Sequence, residues 1–202
     1  MTRIPGVTPN DSAEFRQLEA LCVETLGFVP NSVLAMLRVP GLAQALGAMN
    51  SAVMGPGRVD KGLKRLVAHM ASRAAGCQYC QAHTAAGAQL HGVAASKLDA
   101  LWDFERSELF SEAERTALEL ALAAGQVPNA ADDALFERLR AHWSEEQILE
   151  IVGVAALFGF LNRWNDTLAT PLEAHPVAVA RRHLAPRGWT AGKHQPGVEQ
   201  PE

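Results

Sequence analysis

Apolar residues return at three- and four-residue intervals along most of this chain, and that period commits it to helices. Between Asp60 and Gly76 they fall at Leu63, Leu66, Val67, Met70 and Ala74, one face of a single long helix. Alanine and leucine dominate the apolar set, which makes up 48% of the residues, while aromatics make up 6%. With β-branched and aromatic residues sparse, close-packed helices are favoured over a sheet. No stretch alternates as a strand would, so the expected fold class is all-α, a multihelical bundle.

Punctuation marks the helices. Asp11-Ser12 caps a pattern through Phe15, Leu18, Leu21, Cys22 and Leu26, stopped by Gly27 and Pro30. Asn31-Ser32 caps a short helix, and Pro40 stands at a tolerated first helical position before residues 42–54. Gly55-Pro56-Gly57 is a turn, and Asp60 opens the long pattern that ends at Gly76. Helices over 77–91, 96–102 and 111–125 follow, the last opened by a Ser111/Glu114 capping box. Residues 132–142 and a long helix from Ser144 complete the set. These elements suit one domain over residues 1–186. The Gly-, Pro- and polar-rich residues 187–202 are expected to form a mobile tail.

Composition narrows the function classes. A net charge of −4 gives no electrostatic case for nucleic acid or an anionic membrane. No apolar run reaches the ~20 residues of a bilayer span. The opening residues, Met1 to Gly6, lack a signal-peptide core, and three cysteines suit a reducing compartment, so a cytoplasmic location is expected. Apolar positions at Leu34, Met36, Leu37, Leu42 and Leu46 need cover, which suggests a homo-oligomer.

An internal repeat is also legible. Shifting residues 144–169 back by 85 positions aligns Ile151 and Val152 with Leu66 and Val67, and Leu161 with Gly76. Asn162 and Asn165 then fall on Cys77 and Cys80, Trp164 on Tyr79, and Glu150 on Arg65. Two pseudo-repeated helical halves would bring Asn162, Arg163, Asn165 and Asp166 near a shared core, as a polar network or as substrate-positioning groups.

Cys77-Gln78-Tyr79-Cys80, with His83 three residues on, carries the chemistry. Thiols two residues apart can meet at the first turn of a helix, where free N–H groups and the dipole favour a thiolate. His83 faces the same side and could move the proton. Half a zinc site and an inert buried pair are the competing readings. Zinc wants about four ligands; Cys22 stands alone in an apolar pattern, and no spaced histidine pair follows the CxxC. No metal and no cofactor is expected.

The stretch 65–83, Arg-Leu-Val-Ala-His-Met-Ala-Ser-Arg-Ala-Ala-Gly-Cys-Gln-Tyr-Cys-Gln-Ala-His, resembles the core of the alkylhydroperoxidase D / carboxymuconolactone decarboxylase-like family. The resemblance extends over about residues 35–185. Leu-Gly-Phe-Val-Pro-Asn at 26–31 and Phe-Gly-Phe-Leu-Asn-Arg-Trp-Asn-Asp at 158–166 are similar to its peroxidase-related branch. It implies an all-helical fold and hydroperoxide reduction, with Cys80 attacking, Cys77 resolving the sulfenic acid and His83 assisting. A lipoyl- or thioredoxin-like dithiol would supply electrons, and dimers or higher assemblies are implied. Two departures stand out. Arg65 replaces the family glutamate twelve positions before the first cysteine, and the family histidine position four after the second holds Thr84. His69, or Glu150 from the paired helix, could take over the relay, and Arg65 could instead stabilise a thiolate or form a surface ion pair. A cysteine-independent lactone decarboxylase and a non-catalytic redox sensor are the alternative functions.

Overall fold

The computed structural model describes residues 2–8 and 13–196. Among them ten α-helices follow one another with no strand: α1 (Ala13–Leu26), α2 (Asn31–Met36), α3 (Leu42–Met54), α4 (Lys61–Ala74), α5 (Gln78–Leu90), α6 (Ala95–Asp99), α7 (Glu112–Gly125), α8 (Asp133–Arg140), α9 (Glu145–Leu168) and α10 (Ala174–His183). The all-α class expected from the periodicity is the observed one.

Helix α4 is the hub. Every residue from Gly62 to Ser72 is buried, because α5, α7 and α9 pack around it. Alanines make this closeness possible: Ala68, Ala71, Ala117 and Ala121 are fully buried at the crossing of α4 and α7. Gly125, at the end of α7, sits where a Cβ would come within 2.7 Å of Ala71 O and 2.8 Å of Ala74 Cβ. Gly125→Ala should therefore cost about 1–3 kcal/mol by overpacking. A lowered urea midpoint at unchanged slope would register this.

The capping signals hold where side chains were free to cap. Asp60 Oδ1 accepts from Leu63 N at 3.0 Å, and Ser111/Glu114 and Ser144/Gln147 both close capping boxes. Elsewhere tertiary contacts win. Pro30, not Asn31 or Ser32, stands at the N-cap of α2, and the Asn31 side chain instead donates to Pro171 O. Pro40 lies outside α3, which begins after Gly41 in the left-handed region (φ 78°). The cap assigned to Asp11-Ser12 lies outside the described residues.

Three expectations are corrected. The long helix α9 runs unbroken for 24 residues, so the second half does not reproduce the helix–break–helix of α4 and α5. Leu161 stands where α4 ends in glycine, and nothing there stops the helix. The apolar face of α2 and α3 is covered in part within the chain: Met36 and Ala43 pack with Leu18 and Cys22 of α1 in a second small core, against which Leu37, Leu42 and Leu46 lie half-buried. The segment from 187 is docked as far as residue 196. Trp189 is buried and its Nε1 donates to Gln78 O, while His194 O accepts from Leu172 N and the His194 side chain is fully buried. Trp189 and His194 anchor it together.

Candidate active site

The thiols sit where two helices meet. Helix α4 ends in a Schellman-type turn, with Cys77 N donating to Ser72 O (3.1 Å) across Gly76, whose φ of +73° suits glycine. Cys77 is then at once the residue after that turn and the N-cap of α5, its Sγ accepting from Cys80 N at 3.4 Å. Both sulfurs are reduced and buried.

Their electrostatics differ. A hydrogen bond from the Cys80 side chain lowers the Cys77 pKa, opposed by burial and helped by the Cys80 and Tyr79 backbone N–H groups. Burial, and then the neighbouring Cys77, push Cys80 well up, while Asn165 works the other way. In the singly ionised pair the charge therefore rests on Cys77 and the proton on Cys80. Asn165 Nδ2 donates to Cys80 Sγ at 3.6 Å and to Leu161 O at 3.0 Å, a donor ready for charge moving onto Cys80. The expected alignment of Asn165 with Cys80 thus becomes a contact between them.

His83 is held from three sides. It stacks on Tyr79 with ring centroids 4.2 Å apart, meets Phe28 at 5.6 Å, and its Nε2 lies 2.6 Å from Glu173 Oε2. Glu173 also accepts from Tyr79 OH (2.9 Å) and Asn31 N (2.6 Å). Burial alone would raise the Glu173 carboxyl, but His83 and these donors together hold it below the usual carboxylate range. An ionised carboxylate only accepts, so His83 Nε2 carries the hydrogen and Nδ1 is the nitrogen able to exchange a proton. Glu173 escaped the sequence reading. It comes from the connection between α9 and α10, and its one local signal is an acidic N-cap whose side chain makes no cap bond.

Cys80, His83 and Asn165 line a cavity of about 130 Å³ together with Arg65, Cys22 and apolar side chains of α1, α2, α3 and α9. Arg65 is buried rather than paired at the surface, and its Nη2 lies 3.1 Å from His91 Nε2. Cys22 is driven up to about 11 by burial, and unlike Cys80 it has no second thiol beside it to take its proton.

The remaining candidates separate. Glu150 does not reach the thiols: it pairs with Lys64 at 2.9 Å and accepts from Arg58 N and Val59 N, closing the turn before α4. Asn162 Nδ2 reaches Ala71 O at 3.5 Å, a structural contact on α4. Fully buried His69 meets Thr84 Oγ1 at 3.0 Å through Nδ1. Because Thr84 gives its one hydrogen to Cys80 O (2.7 Å), His69 Nδ1 is the donor, and Nε2 has no partner among the described residues. Burial lowers its pKa to about 4. Between the ordinary value near ~6.5 and that value the unfolded chain binds the extra proton, so stability falls as pH drops through this window. The loss is on the order of 3 kcal/mol. Urea unfolding from pH 7 to 4 should record it, and His69→Gln should flatten it.

Half-exposed Asp166 does lie near the thiols. Its Oδ2 accepts from Lys193 Nζ (2.7 Å), and Oδ1 is 3.5 Å from Nε2 of His194. His194 Nδ1 donates to Thr170 O at 2.8 Å, which leaves Nε2 bare. Cys77 Sγ, an Asp166 oxygen and a His194 nitrogen lie within 4.8 Å of one another, a mixed donor set able to contact a metal or to shuttle a proton to Cys77. His194 was missed because it falls in the segment expected to be a tail.

The model of the "Carboxymuconolactone decarboxylase family" matches residues 40–123. The uncharacterized protein YnjA of Escherichia coli K12 is 31% identical over 115 residues, 57% of this chain and 63% of that protein, so the match spans under two thirds of the relative. Among solved structures, the apo debrominase Bmp8 is 33% identical with a TM-score of 0.84, covering 90% of this chain and 97% of that one. A cysteine-to-alanine variant of it in complex with 2,3,4-tribromopyrrole gives 32% and 0.85. A peroxidase-related protein with an alkylhydroperoxidase AhpD core, from Ralstonia eutropha JMP134, is 23% identical with a TM-score of 0.73, over 86% of this chain and 94% of that one, a likeness of fold.

Proposed function

The chain belongs to the carboxymuconolactone decarboxylase family, and from that premise we propose that it is a dithiol oxidoreductase of the alkylhydroperoxidase D-like kind that reduces a hydroperoxide. One observation carries the reading: hydrogen-bonded Cys77 and Cys80 at the start of α5, with Cys80 alone of the two lining a cavity that also holds His83.

The proton of Cys80 passes to the Cys77 thiolate along their hydrogen bond, and Asn165 supports the charge now on Cys80. Cys80 sulfur attacks the outer peroxide oxygen; an S–O bond forms, the O–O bond breaks, and the departing alkoxide takes the Nδ1 proton of a His83 imidazolium paired with Glu173, a proton the ring then regains from solvent. Cys77 sulfur then attacks the Cys80 sulfenic acid, and its proton leaves with the hydroxyl as water. The resulting disulfide is reduced by an external lipoyl- or thioredoxin-like dithiol, itself oxidised. His194, near Cys77, can take the Cys77 proton as that sulfur attacks and pass it to the leaving hydroxyl.

Reductive dehalogenation is the second reading, supported by the 33% identity across 97% of the debrominase. Its balance uses the same two thiols: a carbon–halogen bond becomes carbon–hydrogen, halide leaves, and the disulfide forms. Purified protein should consume an organic hydroperoxide only when a dithiol is present. Halide release from a bromopyrrole without peroxide turnover would favour the second reading, and full activity of a Cys77→Ser/Cys80→Ser double variant would point to cysteine-independent decarboxylation. A homo-oligomer remains part of the proposal, with Leu149 and Phe160 on the outer side of α9 offering the apolar surface.

A further inference from the structure

Two neighbouring residues on α4 bury a cation, and the chain treats them differently. Lys64 is fully provided for: its Nζ donates to Val53 O (2.9 Å) and Gly55 O (3.1 Å) and pairs with Glu150. Arg65, 9% exposed, meets one neutral imidazole, His91, and no carboxylate among the described residues. His91 is itself held below its ordinary pKa by burial and by Arg65, so it accepts from the guanidinium and leaves the charge uncompensated. A buried cation without a counter-ion is costly, and the cost is relieved by whatever anion reaches it.

What can reach it is the content of the cavity. Arg65 lines the same space as Cys80, with Asn50 as a further polar group and Leu18, Leu46 and Phe158 among the apolar walls. Gly87 of α5 lies against this arginine: a Cβ there would be in ordinary contact with Arg65 Cδ at 3.4 Å and Nε at 3.6 Å. Cys80, Thr84 and Gly87 share one face of α5, so the arginine lies about 10 Å along the helix from the reactive sulfur. The volume, about 130 Å³, is close to that of an apolar cavity that holds one benzene ring.

We propose that the cavity selects small organic anions, a single ring or short chain bearing a carboxylate or similarly acidic group, with the charge held by Arg65 and the apolar end toward Cys80. The guanidinium fork matches a carboxylate in two parallel hydrogen bonds, which a neutral molecule of the same shape cannot engage equally. The orientation toward Cys80 rests on the reading of that sulfur as the reacting one; the anion site itself does not.

The test measures binding rather than turnover. Benzoate and its neutral counterpart benzyl alcohol are titrated by calorimetry into the reduced protein, into Arg65→Gln and Arg65→Met, and into Cys80→Ser. Benzoate is expected to bind wild type at least about tenfold more tightly than benzyl alcohol, and both Arg65 variants should lose that preference. Circular dichroism of each variant checks folding, and two replacements of different shape guard against one that fails to fold. In Cys80→Ser the preference should persist although turnover is lost. Equal affinity for the two probes in wild type, no binding of benzoate, or an undiminished preference in a folded Arg65 variant would each overturn the proposal. Activity surviving in Cys80→Ser would instead sink the dithiol reading and leave the anion site standing.

Discussion

Cys80→Ser protein is expected to lose thiol-dependent reduction by at least about a thousandfold, because a serine hydroxyl stays protonated near neutral pH and cannot form the sulfenic acid. Neither other thiol is equivalent: Cys22 lines the same cavity but is driven up to about 11 by burial with no second thiol to take its proton, and Cys77 is fully buried and does not line the cavity. Cys77→Ser should behave differently. With the attacking sulfur intact, one equivalent of oxidant should be consumed and the cycle should then stall at the sulfenic acid, trapped by dimedone and seen by mass spectrometry. The same change removes the thiolate beside Cys80, so the first step should also shift in its pH dependence. A Cys77→Ser protein that turns over repeatedly would require the resolving electron pair to come from outside the chain.

The second large effect is expected at Glu173. Its carboxylate collects Asn31 N from α2 and Tyr79 OH and His83 Nε2 from α5, three donors from two helices, at a part-buried position. Glu173→Ala leaves all three without their acceptor and should destabilise the fold by about 3–5 kcal/mol. Glu173→Gln keeps the volume but cannot hold His83 as a pure acceptor pair, and turnover should fall about a hundredfold with the fold retained. The sign with pH follows from the depressed carboxyl. Its stabilisation is complete above the unfolded value near ~4.3 and is lost as pH falls through the lower folded value. Glu173→Gln should therefore unfold with a shallower acid dependence than wild type, measured by urea midpoints across pH 7 to 3. An unchanged acid limb would mean that other carboxylates carry it.

The helices were legible because their signals are local. Asp60, Ser111 and Ser144 cap the helices they precede, and Gly76 ends α4 where the pattern breaks. The thiol pair was legible for the same reason, since CxxC after a glycine stop specifies its own geometry. What escaped is held by long-range contact. Glu173 lies 90 positions from His83, and nothing near residue 173 announces that partner. His194 was hidden in a polar segment whose docking depends on Trp189 reaching back to Gln78. Glu150 was placed at the site through an aligned repeat, yet the continuous α9 leaves it with Lys64 at the far end. Arg65 could be read as an ion-pair residue from sequence because charge is visible there and burial is not.

The account turns on two sulfurs that exchange electrons as a pair. The most direct measurement treats fully reduced protein with less than one equivalent of an organic hydroperoxide and maps the products by non-reducing peptide mass spectrometry. The expected result is a Cys77–Cys80 disulfide formed before any change at Cys22 and reversed by an external dithiol. Persistence of both thiols, or oxidation that falls first on Cys22 or on methionine, would contradict it.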